Sequence, residues 1–522
     1  PMYLDARDMG YMLAGMPMDG TMTAGMVLIV VGLAATVYGL FPRLSALTTR
    51  TAPIRVRALD DAPIKAVHVG LLLVMAAAVT IDVMKPTTLA FVVPGMAEEY
   101  GLRSPLNPAG DVPVALVPLS GIVGTVIGSF TWGWLGDRIG RRASILFAGV
   151  IFMATAICGS MPSFGWNLFM CFVMGLGVGG MLPITFALMA ETIPARHRGW
   201  LLVLIGGDVA GAYIITSWLA SALVPEFGWR ILWLIGFPTG LILILLNRWI
   251  PESPRYLIAN GHGQEARAVM ERYGARAVAH VESELTIEES VKSRYSQLFG
   301  TPFLGVTAVV VLLGLGVGFV SFGFQLWIPS NLQKLGFEQV TADRILRDSA
   351  LIGFPLNFLV AWMYGFWSSK KTIIVLASLT AAALFGFVLA GDDVAGNRTM
   401  LSALLIVPIW GVSSVVAVLA AYSSEVYPTR IRSRGTGLAA GASKAGGVVI
   451  IAMVTFAVAP PSIAGTALLG ALPLAVAALA VAVFGVETRR RRLEDITAEE
   501  MSVDGAGMPA AIEAPVPLGP SS

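Results

Sequence analysis

The sequence has few charged residues and few of the residues that usually bind metals. Asp, Glu, Lys and Arg make up 13% of its 522 residues, whereas soluble proteins have about 25%. The formal net charge of +2 excludes a strongly basic chain built to bind nucleic acid. The two cysteines, Cys158 and Cys171, lie in apolar runs, and the four histidines are scattered. We therefore predict no disulfide and no bound metal.

The motifs of the common enzyme classes are also missing. The sequence contains no G-x-S-x-G turn, no H-E-x-x-H helix and no phosphate-binding P-loop. We therefore predict that the chain is not an enzyme, holds no cofactor and does not hydrolyse ATP.

Long apolar stretches take the place of charge, and 56% of the residues are hydrophobic. Stretches long enough to cross a hydrocarbon core of about 30 Å recur along the chain. They predict an all-α polytopic membrane protein with twelve regular spans and one extra span in front. The predicted spans are 23–42, 66–95, 114–136, 143–161, 166–190, 200–223, 228–249, 304–330, 346–366, 371–390, 399–424, 434–459 and 463–485.

Basic residues collect on one side of this predicted topology. The loops with Arg138, Arg198, Lys370 and Arg430 share that side, and the alternate loops are short and poor in Lys and Arg. Because basic loops stay in the cytoplasm, we predict an inner-membrane protein with its amino terminus outside and its carboxyl terminus inside. The extra span follows an acidic leader without a clear cleavage site, so we interpret it as a retained helix.

Three motifs occur once in each half of the chain. This repetition predicts a duplicated six-helix unit, and two parallel halves imply a mid-membrane cavity that opens alternately to each side. The pairs are Glu191-Thr-Ile-Pro194-Ala-Arg-His-Arg198-Gly199 with Glu425-Val-Tyr-Pro428-Thr-Arg-Ile-Arg432-Ser-Arg434-Gly435, Gly133-Trp-Leu-Gly136-Asp137-Arg138-Ile-Gly140-Arg141-Arg142 with Tyr364-Gly365-Phe-Trp-Ser-Ser-Lys370-Lys371, and Pro251-Glu252-Ser-Pro-Arg255 with Glu487-Thr-Arg489.

These motifs fall in the predicted cytoplasmic loops, where the two halves would be latched together. We interpret their opposite charges as gating contacts. The alternative is a set of solvated ion pairs worth about 0–1 kcal/mol each, which only orient the helices. The predicted gating residues are Gly133, Asp137, Arg138, Gly140, Arg141, Arg142, Glu191, Arg198, Glu252, Arg255, Glu425 and Arg432.

The domain organisation follows from these spans and motifs. We predict an external Met-rich leader at 1–22, an extra helix and linker at 23–64, six-helix bundles at 65–250 and 304–487, a cytoplasmic loop with short helices at 251–303, and a partly disordered tail at 488–522. Methionines at a membrane surface explain the leader's composition, although thioethers also suit Cu(I). They are Met2, Met9, Met12, Met16, Met18, Met22 and Met26.

The repeated motifs resemble those of the major facilitator superfamily over about 65–495. Within it, the Pro251–Arg255 motif and the two Glu-x-x-Pro-x-x-x-Arg elements are similar to the branch that holds sugar porters, organic ion transporters and aromatic acid:proton symporters. The resemblance implies the major facilitator fold, with two pseudo-repeated six-helix bundles. The Gln-Gln-x-x-Gly-x-Asn motif of sugar porters is missing from 318–329, which disfavours a sugar.

Three positions compare with the aromatic acid symporters in particular. Where those proteins carry Asp-Gly-Tyr/Phe-Asp, this chain has Asp82-Val83-Met84-Lys85, so the first acid is kept and the second is replaced. Lys444 precedes a glycine pair, a place that the resemblance associates with anion binding. Cys171 stands where many relatives have an arginine implicated in proton coupling, and this departure puts coupling in doubt.

Four charged residues lie deep in the predicted spans: Asp82, Lys85, Asp208 and Lys444. Each costs roughly 2.5–3.5 kcal/mol at a helix centre, so each should face a cavity or a partner. Asp82 and Lys85 share a helix face and would lock the bundle if they paired. Alternatively, the lysines attract an anion while the aspartates carry protons. The predicted substrate-binding residues are Lys85, Lys444, Gln325, Tyr422 and Trp327, and the predicted proton-coupling residues are Asp82 and Asp208.

These features together predict a secondary carrier that takes up a small organic anion, a carboxylate or an aromatic acid, with protons by alternating access. Two alternatives remain: an organic cation or drug transporter that uses Asp82 and Asp208, and a substrate sensor that does not transport. The predicted partners are the lipid bilayer, the substrate and protons, with no nucleic acid. We expect a monomer, or a dimer through the extra helix, where Gly25, Gly32 and Gly39 share one face.

Overall fold

The computed structural model of the chain describes residues 2–40, 59, 62–104, 107–259, 262–274, 295–300, 303–427, 432–456 and 462–488. All regular elements in these ranges are helices. Twelve helical segments are long and apolar enough to cross a membrane, and the remaining predicted span falls on a helix with a shorter apolar stretch, Leu116–Ser129. The predicted all-α polytopic fold is therefore confirmed.

The N-terminal half follows a short first helix and the extra span. Three of its six spans consist of two consecutive helices each, because the helix is interrupted at Gly179-Gly180, at Gly207 or at Ile235. The helices are α1 (Met2–Asp5), α2 (Gly20–Leu40), α3 (Ala66–Glu99), α4 (Leu116–Ile139), α5 (Arg141–Thr155), α6 (Phe164–Val178), α7 (Met181–Thr192), α8 (Ala195–Gly206), α9 (Asp208–Phe227), α10 (Ile231–Leu234) and α11 (Gly236–Leu246).

Two short loop helices precede the C-terminal half. Within this half, π-helical segments at Val320–Gln325 and Met363–Trp367 interrupt two spans. Such segments occur often at functional sites. The helices are α12 (Pro254–Ala259), α13 (Gly263–Arg272), α14 (Leu304–Phe319), α15 (Ile328–Lys334), α16 (Gln339–Gly353), α17 (Leu356–Trp362), α18 (Ser369–Ala390), α19 (Arg398–Val426), α20 (Arg432–Phe456) and α21 (Ile463–Phe484).

The two halves meet along helices that pack across a central seam. α4 packs against α20, α9 packs against α16, and α8 packs against α19. Between these pairs runs α3, which carries Asp82 and Lys85 and contacts α9, α11 and α15. The charged residues of α3 therefore lie inside the protein, away from lipid.

The extra helix α2 lies at the periphery of the N-terminal half. Among the helices it contacts α5, and most of its apolar side chains are exposed, for example Leu28 and Val31. No atom lies within 4 Å of a Cβ built on Gly25, Gly32 or Gly39. The glycine face is thus open within this chain, and its use in a dimer stays a prediction.

The leader before α2 is anchored to the N-terminal half by a buried ion pair. The carboxylate of Glu99 accepts hydrogen bonds from the backbone N–H groups of Leu13 and Ala14 at 2.6 and 2.8 Å. It also pairs with Arg230 at 2.7 Å, and both side chains are almost fully buried. The hydroxyl of Tyr3 donates to the carbonyl of Phe227 at 2.6 Å. The leader therefore belongs to the packed structure of this half.

Candidate functional site

The two charged residues of α3 do not pair with each other. Asp82 is 1% exposed and Lys85 is 4% exposed. Neither carboxylate oxygen of Asp82, nor the ammonium of Lys85, has a hydrogen-bond partner among the described residues. The intrahelical pair that would lock the bundle is thus not formed. Burying two charged groups without partners costs free energy unless water, a proton or a ligand compensates them.

Lys85 points into the N-terminal half. Its Nζ atom lies so close to Gly236 of α11 that any side chain there would collide with it. It also lies near Cys158 and Cys171. The glycine leaves the space that the end of this lysine occupies. Lys85 is thus directed toward α11 of its own half.

Lys444 reaches from α20 across the seam into the N-terminal half. Its Nζ donates to Oγ of Ser129 at 2.7 Å and to the carbonyl of Gly179 at 2.6 Å. Gly179 lies at the break between α6 and α7, where carbonyls lack helical partners. Lys444 also interacts electrostatically with Asp82. The structure thus brings together one predicted binding lysine and one predicted coupling acid, from opposite halves.

A second polar contact joins the halves at the break between α8 and α9. Asn357 of α17 donates from Nδ2 to the carbonyl of Gly207 at 3.1 Å and accepts from Ser414 at 3.0 Å. The next residue, Asp208, accepts a short hydrogen bond from Thr80 of α3. Asp208 is therefore tied to α3 within its own half, beside a contact between the two halves.

The remaining predicted binding residues lie at different depths. Gln325 ends a π-helical segment and is half-buried. Trp327 is 2% exposed, and its indole N–H has no partner among the described residues. The hydroxyl of Tyr422 donates to the carbonyl of Val486 at 3.1 Å and accepts from its N–H at 2.8 Å. Tyr422 thus contacts the chain just after α21, and the structure does not bring it to Lys444.

Sequence reasoning missed one acidic residue, Asp343 of α16. It is 1% exposed, and both carboxylate oxygens lack a hydrogen-bond partner within the described ranges. The predicted span began at residue 346 because of the charges before it. Asp343, Leu346 and Ala350 all lie on the buried face of α16, and this helical spacing was the signal that could have found it.

The repeated motifs converge at the predicted cytoplasmic end of the N-terminal half. Glu252 accepts hydrogen bonds from the first backbone N–H groups of α5, at 2.7 Å from Arg141 and 3.2 Å from Arg142. The neighbouring Ser253 donates a short hydrogen bond to Glu191, and Arg141 lies 3.9 Å from Glu191. Burial raises the pKa of Glu252. An acid here suits the positive end of the helix.

Gly140, just before α5, explains how Glu252 reaches this position. Its φ is +94°, a conformation that favours glycine, and an added Cβ would collide with the Glu252 carboxylate. Arg198 donates to the carbonyl of Ile193 at 3.2 Å. The structure does not describe the surroundings of the other predicted gating residues, which are Gly133, Asp137, Arg138, Arg255 and Arg432.

The C-terminal half contains an equivalent network. Glu487 accepts from the first N–H of α18, Ser369, at 2.9 Å. The neighbouring Thr488 donates to Glu425 at 2.7 Å, and Tyr364 donates to the same carboxylate at 2.7 Å. In each half, one hydrogen-bond network thus connects three places. These are the penultimate residue of the fourth span, the start of the third span and the segment after the sixth span.

This second network touches the other half directly. A Cβ built on Gly199 of α8 would lie 2.6 Å from Oε1 of Glu425 and 3.4 Å from the ring of Tyr364. A Cβ on Gly365 would lie 2.7 Å from the side chain of Trp200. The absence of a side chain at these two glycines lets α8 approach the C-terminal network closely.

Comparison with known proteins identifies this arrangement. The sequence pattern of the Major Facilitator Superfamily matches residues 70–450. The chain is 27% identical to the niacin transporter NiaP of Acinetobacter baylyi, covering 84% of this chain and 98% of that protein. It is 25% identical to the 4-hydroxybenzoate transporter PcaK of the same organism, with coverages of 75% and 85%.

A solved structure has the same fold. The xylose transporter XylE from E. coli, in a partially occluded inward-open conformation, superimposes with a TM-score of 0.64 at 19% identity, covering 82% of this chain and all of XylE. The family pattern, the helical spans and the fold agree with the resemblance that the motifs predicted. The chain is therefore a multi-pass membrane transport protein, not an enzyme, and it belongs to the Major Facilitator Superfamily.

Proposed function

We propose that the chain carries a small organic anion, a carboxylate or an aromatic acid, into the cell with protons by alternating access across the inner membrane. The observation that carries this proposal is the buried, unpartnered carboxylate of Asp82 beside Lys444 of the opposite half. Such a pair links a proton site to an anion site across the seam. We place the amino terminus outside and the carboxyl terminus inside, as the basic loops predict.

Lys444 is suited to exchange partners during transport. It now donates to two neutral oxygens, those of Ser129 and Gly179. A substrate carboxylate is a stronger acceptor for an ammonium group because the hydrogen bond is charge-assisted. Binding of an anion would therefore draw Lys444 away from the N-terminal half and loosen one of the two polar contacts across the seam.

Asp82 is suited to take up the coupled proton. An ionised carboxylate without partners is costly at this depth, so the closed arrangement favours its neutral form. When the seam opens to water, Asp82 can lose the proton and compete for Lys444. A monoanion carried with two protons moves one net positive charge, which gains about 2.3 kcal/mol per 100 mV of membrane potential.

The named relatives support the substrate class. Two of them are named for niacin and for 4-hydroxybenzoate, and each of these compounds is an aromatic ring with a carboxyl group. Aromatic side chains near the seam, such as Trp327 and Trp410, are buried and have indole N–H groups without partners in the described part of the chain. They are suited to contact a ring and its polar substituent.

An organic cation is the second candidate, favoured by the unpartnered acid Asp343. The test compares both classes by thermal unfolding of the purified protein with nicotinate, 4-hydroxybenzoate and benzylamine. A ligand at a hundred times its Kd stabilises by about 2.7 kcal/mol. We expect stabilisation by the acids, and its loss in Lys444→Gln. Stabilisation by benzylamine alone would replace our proposal with the cation carrier.

Uptake into proteoliposomes tests transport itself. We expect radiolabelled acid to accumulate faster when the external medium is acidified, and Asp82→Asn to bind the acid without responding to the gradient. Binding without any uptake by the unmodified protein would instead indicate a sensor with a carrier fold.

A further inference from the structure

A pair of polar side chains without hydrogen-bond partners lies between α9 and α16, away from the site around Asp82. Asp343 of α16 is 1% exposed and Tyr213 of α9 is 4% exposed. Neither the carboxylate of Asp343 nor the hydroxyl of Tyr213 has a hydrogen-bond partner among the described residues. The two side chains interact electrostatically. They belong to opposite halves, so they separate whenever this part of the seam opens.

The surroundings of the pair are apolar. The ring of Tyr213 packs against Phe91 of α3, with ring centroids 5.6 Å apart. On α16, Asp343 is flanked on the buried face by Ala342 and Leu346. Closing such a site over an ionised carboxylate costs several kcal/mol because the carboxylate loses its water without gaining a partner. The neutral acid avoids this cost and can hydrogen-bond to a phenol.

No cation compensates Asp343 within the part of the chain that the structure describes. Charged groups on the packed helices point elsewhere or have other partners. On α9, Asp208 is bonded to Thr80; on α3, Glu99 pairs with Arg230. The others are the exposed Glu98, Glu226, Lys334 and Arg344, the pair of Arg347 with Asp348, Lys85 directed at α11, Asp82 beside Lys444, and Glu425 at the opposite end of α19.

Asp343 also lies near the end of α16 that faces away from the repeated motifs. α16 begins at Gln339, so Asp343 is about 6 Å from its first residue along the helix axis. In the proposed orientation this is the external end. Opening of the α9–α16 seam would therefore bring Asp343 into contact with external water before it reaches the level of Asp82.

We propose that Asp343, together with Tyr213, is a proton-binding site that controls the α9–α16 seam. The seam opens when the acid is ionised and closes when the acid takes up a proton from the external side. This inference rests on the proposed alternating-access carrier, and it assigns the closing step to a residue distinct from Asp82. Closure of the empty carrier then becomes linked to external pH without any substrate.

Distance measurements between spin labels test this linkage without substrate. Glu226 near the end of α9 and Glu338 just before α16 are both exposed. Both are changed to cysteine for labelling, after Cys158 and Cys171 are changed to alanine, and the protein is placed in nanodiscs. We expect the short-distance population to grow as the pH falls. A single proton changes the open-to-closed ratio up to about tenfold per pH unit.

Three variants separate the proposal from a general effect of pH. Asp343→Asn should remain closed at every pH because its side chain is always neutral. Tyr213→Phe should keep the pH response, because the proton binds to Asp343 and Tyr213 is not hydrogen-bonded to it in this structure. Asp348→Asn, an exposed acid on the same helix, should behave as the unmodified protein does.

Two results would overturn the proposal: a distance distribution of the unmodified protein that is independent of pH, or a pH response that survives in Asp343→Asn. If Asp343→Asn does not fold, the titration of the unmodified protein still decides the matter, because a distance distribution that does not change with pH overturns the proposal. Because no substrate is present, a pH-controlled seam in a protein that fails to transport organic acids would contradict only the proposed substrate class.

Discussion

The two halves contain equivalent hydrogen-bond networks but differ in the charge of the groups that form them. In both halves a glutamate accepts from the first N–H of the third span, and a neighbouring hydroxyl bonds the glutamate that ends the fourth span. In the N-terminal half the third contact is the cation Arg141, 3.9 Å from Glu191. In the C-terminal half it is the phenol of Tyr364, 2.7 Å from Glu425.

The two networks therefore share their geometry, but the N-terminal one has a charged contact where the C-terminal one has a hydrogen bond from a neutral group. The C-terminal copy of the loop motif has no residue equivalent to Asp137. Judged from the sequence alone, this loss is an argument against a working gate. The structure shows that hydroxyl groups from Ser369, Thr488 and Tyr364 serve the same carboxylates. The loss of a charged motif residue is therefore no argument for a carrier that does not transport.

The largest effect is expected at the buried ion pair of the N-terminal half, Glu99 with Arg230. Arg230→Met leaves Glu99 buried without its cation, which should lower the free energy of unfolding by about 3–5 kcal/mol. Glu99 also holds the backbone of Leu13 and Ala14, so the leader should become sensitive to protease. Denaturant unfolding and limited proteolysis measure both effects.

The matched control for this change is Arg347→Met, which removes an exposed ion pair with Asp348. It should change the free energy of unfolding by less than about 1 kcal/mol. Equal effects of the two substitutions would show that the Glu99–Arg230 pair is no more important than a surface pair.

The next effect concerns the contact between the halves. Gly199→Leu places a side chain against Glu425 and Tyr364, so closure at this end should be hindered while each half still folds. We expect uptake to fall by at least about tenfold, which corresponds to 1.4 kcal/mol against the closed state. Gly70→Leu in α3, where nothing lies within 4 Å of an added Cβ, should leave uptake unchanged. Normal uptake by Gly199→Leu would exclude this contact from the gate.

A further effect is expected from the phenol that replaces a cation. Tyr364→Phe removes one hydrogen bond to a carboxylate and should cost about 1.5–3 kcal/mol of unfolding free energy. Glu191→Gln removes the charge of the 3.9 Å contact with Arg141 and leaves the hydrogen bond from Arg141 to the carbonyl of Gly136 intact, so it should cost less. Thermal unfolding of both variants compares them, and a larger loss in Glu191→Gln would show that the N-terminal network depends on charge after all.

The fold and the two networks were predictable because the bilayer and the duplication leave strong signals. Apolar spans must be helical, and repeated motifs at constant spacing indicate equivalent loops. The helix breaks at Gly179 and Gly207, whose carbonyls accept hydrogen bonds from the opposite half, and the two π-helical segments leave no signal in the apolar pattern of the sequence. The sequence alone does not distinguish a glycine that ends a helix from one that allows two helices to pack closely.

The candidate site was predictable in its residue types but not in its pairing. Asp82 is buried, whereas Asp208 and Lys444 are half-buried. Asp82 interacts electrostatically with Lys444 and has no hydrogen bond to Lys85. The direction of Lys85 depends on Gly236, a residue that is 151 positions away in the chain. Asp343 was overlooked because charged neighbours ended the apolar window before it. The direction of a side chain at the seam depends on tertiary packing, which local sequence patterns do not show.

The smallest effect distinguishes the two glutamates at the helix starts. Burial raises the pKa of Glu252, so the folded state favours its neutral form, and this contribution to stability is lost as the pH rises through that pKa. Glu252→Gln has no titrating group, so across the pH range in which Glu252 ionises its free energy of unfolding should lack this loss. Because Glu252 accepts from backbone N–H groups with both carboxylate oxygens, the amide should lose one of these contacts at every pH.

Glu487→Gln provides the comparison in the C-terminal half. Glu487 accepts from the hydroxyls of Ser368 and Ser369 as well as from a backbone N–H, and an amide has one oxygen where the carboxylate has two. We therefore expect Glu487→Gln to be less stable than the unmodified protein throughout this pH range. If unfolding curves show the same pH response for both variants, the two networks are equivalent in charge as well as in geometry. Opposite responses would show that the two halves share these contacts but differ in the protonation of their glutamates.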